Sequence, residues 1–390
     1  MTDQAGFEHP LSALPADVLQ RLMGELPLED RGRWSQTDSS LHGFPASQPR
    51  HTPAGRIRDL RRRTDLPYRT IYTQHELEQS LAERGELHFA PGGQSRGEPL
   101  TLSRNAGRGV VHLHGGLDRT PLALLEHGAV NALDGAVITL MTGGNLDIGD
   151  GAAVLRMDGG YCTVGPGGAV VDLAGGEVRC RGGGSIVSQR TGSAATVTDG
   201  TIENLYGGEA GLEGRAHCST VHHGCLRAWG STTVGEVIDG SVILNDTSHL
   251  GSVRGGHVTS ASGTPISDVS AGHVDLRAGA GVLSVTGGSI RADQGSVVHT
   301  ATGGVIDVGA QCVLHDARGD AVVYARAGST VHAAGSAQVH AADGSTVTVE
   351  ENARVHAHGQ AAVIARGGTV HLYGSQVNLT DHGATVIQEG

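Results

Sequence analysis

An apolar residue returns at every eighth position of this chain for about two hundred residues. The beat starts at Leu122 and runs through Val130, Ile138, Leu146, Val154, Cys162, Val170, Val178, Ile186, Ala194, Ile202, Ala210 and Cys218. It continues through Leu226, Val234, Val242, Leu250, Val258, Ile266, Val274, Val282, Ile290, Val298, Ile306, Leu314 and Val322. No polar residue interrupts it, and with 38% apolar residues chance would produce such a run with a probability on the order of 10^-11. The frame then slips by one residue and resumes at Val323, Val331, Val339, Val347, Val355 and Val363, ending less regularly at Val370.

Gly-Gly pairs keep the same register, at 143–144, 159–160, 167–168, 175–176, 183–184, 207–208, 255–256, 287–288 and 303–304. Each stands two and three residues before a beat. The unit therefore reads G-G-x-V-x-x-x-x, a short strand after a tight turn, with Gly at the corner and a β-branched residue pointing inward. The residue after the beat faces out and the next faces in again, so Val331-His332-Ala333 and Val355-His356-Ala357 place His outside. Cys162 and Cys218 fall on the beat and read as small buried apolar residues.

Eight residues hold no helix-turn-helix, and Gly at 62 of 390 residues would melt helices. Aromatics, at 3%, are too few for a conventional aromatic-filled core. A fixed short repeat over this length predicts a solenoid. The fold class is mainly β: a parallel β-helix built on an eight-residue strand-turn repeat, with a small helical N-terminal segment. Three faces would give 24 residues per coil and two would give 16, and the periodicity alone leaves both open.

A net charge of −12 argues against wrapping nucleic acid. All 28 basic residues are Arg and the chain has no Lys. The five Cys form no CxxC pair, so neither a disulfide framework nor a zinc site is written in them. MTDQAGFEHP has no basic n-region followed by an apolar stretch, and no apolar run is long enough to span a membrane, so the expected location is cytoplasmic.

The organisation expected is a helical segment over 1–42, a Pro/Arg-rich linker over 43–68, a capping helix and first coils over 69–121, and the octad solenoid over 122–390. The linker carries Arg56, Arg58, Arg61, Arg62 and Arg63, which read as a solvated basic stretch. In 71–92, IYTQHELEQSLAERGELHFAPG, Thr73 caps a helix bearing Leu77 and Leu81, and the strand ELHFA follows. A solenoid needs such a plug, because an open first coil would pair with other chains. The segment resembles the start of right-handed β-helix proteins of the pectate-lyase-like class.

In LPADVLQRLMGELPLED, with SQTDSSLH after it, Leu14, Val18, Leu22 and Met23 share one helical face and Pro27 breaks it. The pattern resembles an F-box at Leu14, Pro15, Val18, Leu19, Leu22, Leu26, Leu28, Asp30, Ser39 and Leu41. It departs from that family at Arg31 and Gly32, where apolar residues are usual. The resemblance implies docking to a Skp-type adaptor of a cullin ubiquitin ligase through Leu14, Pro15 and Leu19, with the repeat region selecting a target. F-box proteins usually carry other repeats, so the combination resembles a bacterial effector delivered into a host cell. A lysine-free chain fits, since its side chains would escape ubiquitination.

For enzyme chemistry, Asp147, Asp150, Asp172, Asp275 and Asp307 are available; Asp275 and Asp307 share a face only if the coil has 16 residues. Exposed aromatics for sugar binding are few in the repeat region, Trp229, Tyr206 and Tyr373 among them. The pairs His112/His114 and His356/His358, and His222-His223 beside His217, have no matching Cys or carboxylate spacing. No metal, cofactor or catalytic residue is assigned, and no membrane contact is expected. The reading is a non-enzymatic recognition protein that docks a Skp-type adaptor and an unknown target. The rivals are a β-helix that binds or cleaves polysaccharide and a self-associating structural solenoid.

Overall fold

The computed structural model describes residues 68–83, 86–92, 99–103, 110–115, 120–149, 151–261, 263–374 and 376–389. The F-box-like segment and nearly all of the linker lie outside the described residues. The chain divides at Asp172/Leu173 into two compact units, where the repeat alone suggested one solenoid from 122 onward. Each unit is a parallel β-solenoid whose strands alternate between two sheets, A and B.

Register settles the number of faces. In sheet A of the second unit, Leu226 pairs with Val242, Val242 with Val258, and Val258 with Val274, each sixteen positions on. In sheet B, Val234 pairs with Leu250 and Leu250 with Ile266 at the same spacing. A coil is thus two strands, one per sheet. Val258 and Ile266, eight residues apart in sequence, face each other's sheet rather than stacking. All these side chains are fully buried. Burial of a Val or Ile contributes about 1.5–3 kcal/mol relative to exposure, so an inward column along each sheet supplies the driving force.

Three local departures follow from the same pairing. Val178 pairs with Ala195, seventeen positions on, so Ala195 is buried and Ala194 faces out, contrary to its place on the beat. Ile306 likewise pairs with Val323, so Val322 lies on the outward side and Val323, where the shifted frame starts, faces in. Many sheet B strands also bury residues three apart, as in Val234/Val237 and Ile266/Val269, where simple alternation predicts two. Two outward residues then sit between them.

At one corner, glycine is required twice over. Gly256 has φ +72, and a Cβ there would lie 2.5 Å from the Gly240 carbonyl oxygen of the preceding coil. The close approach lets the ladder turn the corner: His257 N–H donates to Gly240 O at 2.8 Å, and His273 N–H to Gly256 O at 2.9 Å.

In the first unit, helix α1 (Gln74–Ala82) is capped by Thr73, whose hydroxyl accepts from Glu76 N–H, while the Glu76 carboxylate accepts from Thr73 N–H. This reciprocal capping satisfies two donors that a helix start otherwise leaves orphaned. Leu77 is fully buried. The early coils are longer than the rest: Leu87 pairs with Val111 and Val111 with Val130, twenty-four and nineteen positions on, before Val130 pairs with Leu146 at sixteen.

Gly256→Ala and Gly279→Ala separate the two demands on corner glycines. Gly279 has φ +80 but nothing within 4 Å of its would-be Cβ. Its substitution should cost only backbone strain, about 1 kcal/mol, whereas Gly256→Ala adds a backbone collision and should cost about 3 kcal/mol. Denaturation midpoints of the two variants check the order.

Candidate functional site

Because strands stack in register, outward side chains line up in columns. In sheet A of the second unit one column runs without a break from Arg179 to Ile387, by way of Arg227, Thr259, Asp275, Arg291 and Asp307. Neighbours along it are about 4.8 Å apart, the spacing of paired strands. Like rings therefore stack and opposite charges alternate.

The last third of that column is an aromatic ladder. Tyr324 stacks on His340 at 5.0 Å between centroids, His340 on His356 at 5.1 Å, and His356 on His371 at 4.8 Å. Beside it, His358 stacks on Tyr373 at 4.5 Å, and the Tyr373 hydroxyl lies 3.3 Å from His356 Nδ1. His371 Nδ1 is 2.9 Å from a Glu389 carboxylate oxygen. Burial is the largest force lowering the His356 pKa, and the neighbouring His340, His371 and His358 push the same way against Glu389.

The candidate carboxylates are not left as a bare pair. Asp275 and Asp307 do share one column, two coils apart, but Arg291 stands between them. Asp307 takes a two-pronged contact from the Arg326 guanidinium, the Nε bond being 2.6 Å. Asp275 lies 3.5 Å from His257 Nε2 and 3.2 Å from His273 Nε2, whose rings stack at 5.1 Å. Asp172 sits 3.9 Å from Arg156. Asp147 is exposed, and Asp150 lies outside the described residues. Trp229 is exposed over Gly211, and Tyr206 stacks on His222 at 4.4 Å. Cys162 and Cys218 are fully buried, and burial pushes the Cys218 thiol up to about 12, so it stays protonated and inert.

A second cluster forms in the first unit. The His112/His114 pair visible in the sequence is joined by His88, Glu86, Asp134 and Tyr68. His88 pairs in register with His112, and their rings stack at 4.1 Å with 4° between planes. Glu86 Oε2 lies 3.8 Å from Nε2 of both rings. His88 Nδ1 is 3.2 Å from His114 Nε2, and His114 Nδ1 is 2.7 Å from Asp134 Oδ2. Tyr68 stacks on His114 at 4.8 Å and leaves it buried. Burial raises the Tyr68 pKa, with Asp134 adding to it. The His112 pKa is lowered, first by burial and then by His88, with Glu86 opposing and His114 adding to the fall. His88 and Glu86 were missed in the sequence because this coil has twenty-four residues, not sixteen.

The F-box-like residues Leu14, Pro15, Val18, Leu19, Leu22, Leu26, Leu28 and Asp30 lie outside the described residues. Among the described residues, no helix is long and apolar enough to cross a membrane. In comparisons with family models, curated proteins and solved structures, nothing matches this chain. The F-box-like and pectate-lyase-like resemblances therefore rest on their own residues.

The ladder makes stability depend on pH. Above about pH 6.5, His356 is neutral folded or unfolded. As pH falls through that value the unfolded chain takes up a proton first, because the folded-state pKa is the lower, so stability is lost on acidification. Thermal melts from pH ~8 to ~5 should show a falling midpoint, and His356→Gln should flatten part of the drop.

Proposed function

We propose that this chain is a non-enzymatic recognition protein, in which the F-box-like segment docks a Skp-type adaptor of a ubiquitin ligase and the solenoid holds a target protein. The observation that carries the solenoid half is the unbroken outward column of sheet A in the second unit, Arg179 to Ile387. Such a face offers arginines, a run of stacked rings and exposed apolar side chains, among them Val305 and Tyr324, at fixed spacing. Arg and aromatic residues are the side chains that most often anchor protein contacts. The adaptor half rests on the residue pattern from Leu14 to Leu41 and on the absence of lysine. The same reading places the protein in a cytoplasm, its own or that of a host cell.

The carboxylates make polysaccharide cleavage the weaker reading. Glycoside hydrolysis needs two carboxyl groups flanking one bond, whereas Asp275 and Asp307 are each tied to a basic partner with Arg291 between them.

Binding of the full chain to a purified Skp-type adaptor, measured by calorimetry, tests the proposal. Micromolar or tighter binding is expected, lost in a Leu14→Ala/Pro15→Ala variant and retained in Tyr324→Ala. No binding at adaptor concentrations of about 100 µM, which corresponds to less than about 5.5 kcal/mol of affinity, would sink the adaptor reading.

A further inference from the structure

We propose that Glu86, His88 and His112 form a binding site for a divalent transition metal of the zinc type, with Nε2 of each histidine and a carboxylate oxygen as ligands. The site goes beyond the recognition role, which does not require it. Its three ligand atoms all lie within 4.8 Å of one another, with 3.8 Å between Glu86 Oε2 and each Nε2. Tetrahedral zinc with bonds near 2.0–2.1 Å holds its ligand atoms about 3.3 Å apart, so each Glu86–histidine gap needs to close by roughly half an ångström and the widest separation in the cluster by at most about 1.5 Å. Two imidazoles and one carboxylate suit zinc or its neighbours rather than calcium or magnesium, which take oxygen ligands. Three protein ligands leave one coordination position for water.

The stronger observation is the support behind His88. Metal-bound histidines are held by a hydrogen bond at their second ring nitrogen, which fixes tautomer and orientation. Here the Asp134 carboxylate accepts the proton on His114 Nδ1 at 2.7 Å, which leaves His114 Nε2 as an acceptor. His88 Nδ1–H donates to that nitrogen at 3.2 Å. The His88 Nε2 lone pair is thereby left free on the side of Glu86. Tyr68 stacks on His114 and covers that buried ring. On the other ring, Asn131 Nδ2 lies 3.5 Å from His112 Nδ1, and a flip of the amide would turn its oxygen to the ring to accept from Nδ1–H. A pair of surface ion contacts would not need the buried His114 behind it. Loading requires the two rings, now parallel, to turn about their Cβ–Cγ bonds until the lone pairs converge.

The other histidine-carboxylate group, His257, His273 and Asp275, lies in the second unit with both rings more exposed, and it serves as the internal control. The test is titration of the chelator-treated full chain with Co2+, read by the visible absorption of a tetrahedral site, followed by displacement with Zn2+. We expect one Co2+ site that Zn2+ displaces. His112→Gln and the exposed-site variant Glu86→Gln should each lower its affinity at least about 100-fold, and Asp134→Asn about 10-fold, since Asp134 positions but does not ligate. His257→Gln/His273→Gln should leave that site intact. Circular dichroism melts confirm that each variant is folded, and Glu86→Gln carries the test if a histidine variant is not. Absence of Co2+ and Zn2+ binding at about 1 mM would overturn the proposal. So would binding that survives Glu86→Gln and His112→Gln but disappears in His257→Gln/His273→Gln.

Discussion

The hydrogen-bonded register between successive coils is the constraint on which everything else rests. Each strand donates to and accepts from a strand of the same sheet one coil away, sixteen residues distant through most of the second unit and the later coils of the first. That pairing decides which residues stack. It puts Val258 above Val242 and below Val274 in a buried column, and it sets like ring on like ring outside. It also explains the glycines: where the chain turns between sheets the coils approach so closely that a side chain at Gly256 would strike the carbonyl beneath it.

A fold with this rule turns sequence periodicity directly into surface pattern. A residue type repeated every sixteen positions becomes a ladder, as at His340 and His356, and opposite signs alternate along the column, as at Asp275, Arg291 and Asp307. Cross-strand pairs of these kinds contribute about 0.2–1 kcal/mol each, so the outer columns trim stability while the inner columns supply it. Stability in such a repeat is nearest-neighbour in character, and the outward face is free to vary without unfolding the core. This separation makes a regular solenoid face suited to recognition.

The architecture was legible because one apolar residue per half-coil is enough to mark the interior. The number of faces was not, since Val258, Ile266 and Val274 have the same spacing in a two-sided and a three-sided coil. Only the pairing of Val258 with Val274 decides between them. Ala194 and Val322 were misplaced for a related reason: both are small or apolar, and one-residue shifts in the ladder at Val178/Ala195 and Ile306/Val323 are silent in composition. The helix cap at Thr73 and Glu76 could be read locally, because capping chemistry spans four residues. The Glu86, His88 and His112 cluster was hidden, because His88 and His112 pair in register at a separation of twenty-four positions, not the sixteen of the regular coils.

The two-sided coil is tested most directly by disulfide trapping along the outward column. Thr259 pairs with Asp275 across adjacent coils of sheet A, whereas Leu283, twenty-four positions beyond Thr259, is exposed on sheet B. Adjacent parallel strands bring Cα atoms to about 4.8 Å, within disulfide range. Under mild oxidation, Thr259→Cys/Asp275→Cys should close an intramolecular disulfide, seen by mass spectrometry of proteolytic fragments, while Thr259→Cys/Leu283→Cys stays reduced. Closure of the second pair and not the first would mean a three-sided coil and would contradict the account.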